Sequence, residues 1–180
     1  MNFHSMFVHF PIALLMIYSL FEFVSFKFIT KYENWFYIKA TFLIIGFATA
    51  FPALLTGGIL EDLSERQGTY EHRLIELHST FAGATTIFYG LIAFVYIIAL
   101  IAQVAKVRNY VALLNFMPAW WGNLFQDACQ NCVAIIKRQY LWITALIGII
   151  LISITGGLGG ILSSGLGVDP FADAIYHLFF

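Results

Sequence analysis

Charge is what this sequence has least of. Only 11% of its 180 residues are Asp, Glu, Lys or Arg, against about a quarter in a soluble domain. Hydrophobic residues make up 61% and the mean hydropathy is +0.84, so water is not the main solvent of this chain. The net charge of −1 leaves no basic surface for nucleic acid. Cysteine is scarce too: Cys129 and Cys132 exclude a disulfide scaffold. The start lacks the Lys/Arg-rich opening and small-residue cleavage site of a signal peptide, and Met1 is expected to begin the mature chain.

What is present is apolar length. A spanning helix needs about 20 mostly apolar residues, and four stretches qualify: roughly residues 10–29, 36–60, 77–105 and 141–162. The expectation is an all-α integral membrane protein, a single four-helix transmembrane domain over residues 1–180. Pro11 suits the first turn of the first helix, where a proline loses no helical hydrogen bond, and Pro52 predicts a kink in the second. Glu71, Arg73 and Glu76 place the opening turns of the third outside the hydrocarbon. The 19 Phe, 9 Tyr and 4 Trp suit lipid contact with interfacial aromatic anchors.

Basic residues orient the chain. Lys27, Lys31 and Lys39 flank the first connection, and Lys106, Arg108, Lys137 and Arg138 flank the third, against Arg66 and Arg73 on the other side. Cytoplasmic loops carry the Lys/Arg excess. Both termini are therefore expected on the periplasmic side of a bacterial inner membrane. The connection over residues 103–139 predicts short interfacial helices at 107–114 and 128–136, with Pro118, Trp120 and Trp121 as an anchor. Near the end, Asp169-Pro170 reads as a helix cap with proline at the first position, opening a short amphipathic helix towards Phe180 on the outer surface.

That topology puts all five histidines on the outer side: His4, His9, His72, His78 and His177. Glu61, Asp62, Glu65, Glu71, Glu76, Asp169 and Asp173 fall there as well. The first and third helices both run inward, so His9 and His78 lie at similar depth. Two imidazoles from different helices of a bundle are the axial ligands of membrane b-type cytochromes, and haem b is the cofactor this pair suggests. Arg66 or Arg73 would then pair with its propionates. Histidines that anchor to headgroups or cap a helix are the plainer alternative. His4 precedes the first helix and His72 stands about 120° round the helix from His78, so these two suit a second site or a metal, or are exposed polar residues.

Glu22 is an intramembrane carboxylate, functional by default. It is turned about 220° from His9 around an ideal helix, so it serves either a separate proton path, a partner subunit, or a hydrogen-bonded helix contact near Ser19 and Ser25. Gly148, Gly156 and Gly160 on the last helix, and Gly46, Ala50, Ala53 and Gly57 on the second, form small-residue faces for close packing; a cofactor ring is the other occupant such a face admits. Cys129 and Cys132 form a lone CxxC followed by Val133, not the His of covalent haem attachment. They read as reduced thiols.

The opening His4-x-x-x-x-His9-Phe10-Pro11-Ile-Ala-Leu-Leu resembles that of an uncharacterised bacterial membrane-domain family. Its members look like four-helix membrane units, sometimes linked to c-type cytochrome or Rieske modules. His78 matches the family's third-helix histidine, and a turn over Thr56-Gly57 to Asp62 also fits. Ser5 stands where the family has proline, and Gly156-Gly157-Leu158-Gly159-Gly160 lacks the histidine of the related Gly-His-x-Gly-Gly pattern, which argues against a second haem. The resemblance implies electron transfer between quinol, or another membrane redox subunit, and a periplasmic c-type cytochrome, in a non-catalytic subunit of an oxidoreductase complex. Two further readings stand beside it: a cofactor-free structural or assembly subunit packing against larger membrane partners, and divalent-metal binding by the outer histidines and acids.

Overall fold

The computed structural model describes residues 3–24, 34–67, 72–108, 119–136 and 141–180. Among these residues six helices follow in order: α1 (Phe3–Phe23), α2 (Asn34–Gln67), α3 (His72–Arg108), α4 (Ala119–Ile136), α5 (Leu141–Ser164) and α6 (Pro170–Tyr176). The described residues are all-α, as expected. Among them, three segments are long and apolar enough to cross a membrane: Asn34–Ile59, His72–Val104 and Leu141–Ser164. The apolar part of α1, Phe7–Phe23, is shorter, about 25 Å at 1.5 Å per residue. Residues 25–29 of the expected first span lie outside the described residues. So do most of the helix expected at 107–114, Pro118, and the bases Lys27, Lys31, Lys137 and Arg138. Of His4, Arg66, Trp120 and Trp121 only the backbone is described.

Several boundaries differ from expectation. The first helix starts at Phe3, so Pro11 sits inside it rather than in its first turn, at the cost of one hydrogen bond to the Phe7 carbonyl. His4 is consequently part of α1 and does not precede it. The turn expected over 56–62 is helix, since α2 runs unbroken from Asn34 to Gln67. The Thr56 hydroxyl donates back to the carbonyls of Pro52 and Ala53 at 2.9 and 3.0 Å, which keeps the stretch after the proline bonded to its own backbone. The segment expected at 128–136 is the second half of a longer helix, α4.

The packing reverses the pattern of a soluble protein. On α3, Ile87, Leu91 and Phe94 are 67%, 65% and 62% exposed and lie about 160–220° round the helix from His78. The opposite stripe carries Thr85, Tyr89 and Tyr96, all buried. Polar groups point in and aliphatic groups out, which is the arrangement lipid demands. Leu15 and Tyr18 of α1, Ala40 and Leu43 of α2, Tyr89, Ala93 and Tyr96 of α3 and Ile152 of α5 form the main core.

A second core closes one end. Leu74, Leu158, Ile161 and Ala172 pack together, with Phe179 edge-on to Phe81. Asp169 caps α6 as expected, accepting from the Phe171 amide at 2.9 Å. Gly165 and Gly167, at φ near 82° and 83°, supply the left-handed turn that brings α6 back onto α5. The turn is tied by the Gly167 amide to the Asp173 carboxylate at 3.0 and 3.2 Å. The glycine face of α5 is thereby filled from within the chain: a Cβ on Gly157 would stand 2.8 Å from Ile175, and one on Gly160 would stand 3.3 Å from the Ala172 methyl. Gly156, by contrast, has open space. Gly157→Ala should therefore destabilise the protein by about 1–3 kcal/mol through overpacking, while Gly156→Ala should be neutral or stabilising by up to about 1 kcal/mol. Denaturant unfolding in detergent, with protease release of the C-terminal segment, measures both; equal behaviour of the two variants would contradict the packing of α6.

Candidate functional site: a buried carboxylate–ammonium–tyrosine centre

Glu22 occupies the last described turn of α1, nearly two turns nearer the helix end than a span over 10–29 implies. Only 4% of its surface is exposed. Its two oxygens are divided between partners. One accepts from the Lys39 ammonium at 2.9 Å. The other accepts a short hydrogen bond from the Tyr96 hydroxyl, with the Tyr18 hydroxyl 3.4 Å away, long for an O–H···O contact. The centre thus joins α1, α2 and α3.

Lys39 is the residue that sequence reasoning misplaced. Its position near the first connection makes it look like an interfacial base, yet it is 6% exposed and points into the bundle. Lys39 therefore does not count towards the orientation of the chain, whereas Lys27, Lys31, Lys106, Arg108, Lys137 and Arg138 still do. One signal could have found the pair: opposite charges inside two consecutive apolar stretches, each within a few residues of the hairpin that joins them. Antiparallel helices bring such positions to equal depth.

Aromatic rings enclose the centre. Tyr18 is edge-on to Tyr96 and Tyr89, with centroids 5.7 and 6.3 Å apart, and Phe36 stacks on Tyr96 at 5.6 Å. Above it, the Tyr89 hydroxyl shares a 2.7 Å hydrogen bond with Ser19, and the Thr85 hydroxyl shares one of 2.9 Å with Thr155. Gly148 makes room for Tyr89: a Cβ there would collide with the Tyr89 hydroxyl. A crevice of about 180 Å³ borders Tyr96, lined by apolar groups of Leu91, Ile92, Val95, Ile135, Ile136 and Leu141 and by Thr144, whose hydroxyl donates to the Leu141 carbonyl. Hydrocarbon suits it; a polar ligand would find nothing to bond.

The histidines are placed as follows. Tyr89 touches Ser19, so ideal helices put His9 and His78 about 15 and 16 Å to the same side of that contact. Their faces differ. His78 projects within about 20° of buried Tyr89, whereas His9 lies about 180° from buried Tyr18 and is exposed. His78 is half-buried, its Cε1 3.0 Å from where a Cβ of Gly159 would be. The pair therefore shares depth but not direction, and the glycine face considered for a cofactor ring holds Tyr89, His78, Ile175 and Ala172.

His72 opens α3 and is exposed, as is His177 at the C-cap of α6. Arg73, a candidate propionate partner, lays its guanidinium over the Phe180 ring at 4.9 Å. Among the described residues no three His, Cys, Asp or Glu side chains are placed to hold a metal ion. Cys129 and Cys132 are free thiols one turn apart on α4. Burial pushes both thiols up, and proximity to Cys132 adds to the rise at Cys129, which makes them poor nucleophiles near neutral pH.

Comparison with known protein families, curated proteins and solved structures finds no match to this chain. Chemical reading of the centre therefore rests on its own geometry. Removing one member of a buried ion pair leaves an uncompensated charge and costs about 3–5 kcal/mol. Glu22→Gln and Lys39→Met should each lower stability on that scale, and the double variant should recover most of the loss. Unfolding in detergent provides the test; additive losses would mean that the two charges do not depend on each other.

Proposed function

We propose that this chain is a multi-pass membrane subunit that takes up and releases a proton at Glu22. It lies in a bacterial inner membrane with both termini periplasmic, and serves a larger membrane complex. The supporting observation is Glu22 itself: a carboxylate inside the bundle, held between an ammonium and a phenol. Uptake converts the carboxylate to a neutral acid and leaves the charge on Lys39; release restores the ion pair. Net charge in the interior never exceeds one. Tyr96 holds the carboxylate orientation in both states, because its hydroxyl can donate to an anion or to a neutral carboxyl oxygen. Intramembrane acids of this kind mark proton relays.

A second reading is electron transfer through haem b held by His9 and His78, between quinol or a membrane redox subunit and a periplasmic cytochrome. The common depth of the two imidazoles supports it, and their opposed faces count against it. Two spectra of the purified full chain separate the readings. In the infrared, the carbonyl stretch of a protonated carboxyl group should rise and fall with pH in the wild type and be missing in Glu22→Gln. A carboxylate that stays ionised throughout would reduce the centre to a structural staple. In the visible, a Soret band lost in His78→Ala would favour the haem.

A further inference from the structure

The buried polar groups do not stop at Glu22. Thr85, Tyr89 and Tyr96 each lie within about 20° of His78 around α3, and the four span roughly 27 Å, close to the ~30 Å thickness of a bilayer's hydrocarbon core. Each is met by a group from a neighbouring helix: Gly159, Thr155, Ser19 and Glu22 respectively. The facing stripe of α5 runs Gly148, Ile152, Thr155 and Gly159, in antiparallel register. Its glycines fall where α3 presents the phenol and the imidazole, and its threonine falls opposite Thr85. Space and hydrogen-bonding capacity are thus provided at the positions where α3 is polar.

We infer that this stripe is a transmembrane proton path, running from His78 through the Thr85–Thr155 and Tyr89–Ser19 pairs to Glu22 and Lys39. The inference rests on the proton-binding reading of Glu22 and extends it from one site to a route. Thr85 and Tyr89 are one turn apart on α3, as Ser19 and Glu22 are on α1, so neighbouring sites on one helix stand about 5–6 Å apart. One water bridges each of those steps. The longer step, about 10 Å from His78 to Thr85, takes a short water file past the methyl group of Ala82, which lies about 40° from His78 around α3.

A hydroxyl accepts one proton as it passes on its own, so every O–H bond broken is replaced by one formed. For each proton that enters at the imidazole, one leaves from the Glu22 carboxyl towards the Lys39 end. Each hydroxyl on the route ends neutral, and Glu22 and Lys39 together carry at most one net charge. Thr85 and Thr155 donate to the carbonyls of Phe81 and Leu151 at 2.7 and 2.8 Å, as Thr49, Thr80 and Thr86 do to carbonyls of their own helices; the stripe is marked by the further contact of 2.9 Å between the Thr85 and Thr155 hydroxyls.

The test is proton flux into liposomes carrying the full chain and an enclosed pH dye, driven by a potassium diffusion potential with valinomycin. Wild-type protein should conduct. Tyr89→Phe and the Thr85→Val/Thr155→Val double variant keep shape and remove only hydroxyls. Each should lower the flux by about a hundredfold, the low end of what a positioned proton-transfer group contributes, while Thr86→Val, one position off the stripe, should leave it unchanged. Circular dichroism confirms that the variants fold. Wild-type protein that does not conduct, or hydroxyl variants that conduct fully, overturns the path. If Glu22→Gln alone abolishes flux and the hydroxyl variants do not, protons reach Glu22 by another way and the acid keeps its role. The infrared titration of Glu22 stands or falls independently of the flux.

Discussion

The ion pair between Glu22 and Lys39 sets the register of this bundle. Two charges withdrawn from water attract strongly only at short range and with their remaining hydrogen-bonding capacity met, and here both conditions hold: 2.9 Å between the charges and Tyr96 on the free carboxylate oxygen. A shift of α2 by one turn past α1 would separate them by about 5 Å and strand both. Apolar packing alone is far less demanding, because one aliphatic contact in lipid is worth much the same as another. Tyr96 extends the constraint to α3, and the Ser19–Tyr89 bond repeats it two turns away.

From that register the α3–α5 contact follows. Tyr89 must point at Ser19, which aims its ring at α5, and only a glycine at 148 lets α5 approach. The same spacing carries Thr85 to Thr155 and His78 to Gly159. The end of α5 is then left with Gly157 and Gly160 on a face that no spanning helix covers, and α6 folds back over it. Seven residues of helix suffice, since the Asp169 cap and the two left-handed glycines fix the angle of return.

Much of this was legible in the sequence, and the parts that were not share a cause. Long apolar runs announce spans, and the described residues hold three of sufficient length. The Asp169-Pro170 cap is local chemistry and was readable for that reason. The glycines of α5 signalled close packing, but not what packs there, because Ile175 and Ala172 arrive by a turn whose angle no periodicity encodes. The lysine was misread because counting rules treat a base near a connection as interfacial, whereas depth and facing decide whether it points in. The histidines show the same limit from the other side. Depth placed His9 and His78 together; facing, which depends on how α1 rotates to bury Tyr18 and Glu22, separates them.

The rotation of α1 also bears on which polar groups can work together. A helix has one inward stripe, and α1 gives its own to Leu15, Tyr18, Ser19 and Glu22. With those inside, His9 belongs to the outward side whatever its depth. On α3 the inward stripe takes His78 along with Thr85, Tyr89 and Tyr96, so His78 is linked by geometry to the carboxylate at the far end and not to the other histidine. That linkage suits proton movement better than a metal centre. Metal ligation needs donors converging on one point, whereas a relay needs them strung out at intervals a water can bridge. The described polar groups of this bundle are strung out. They end at Glu22, whose charge Lys39 balances, so that in the proposed path an arriving proton neutralises the carboxylate and leaves a single charge, on Lys39, in the core.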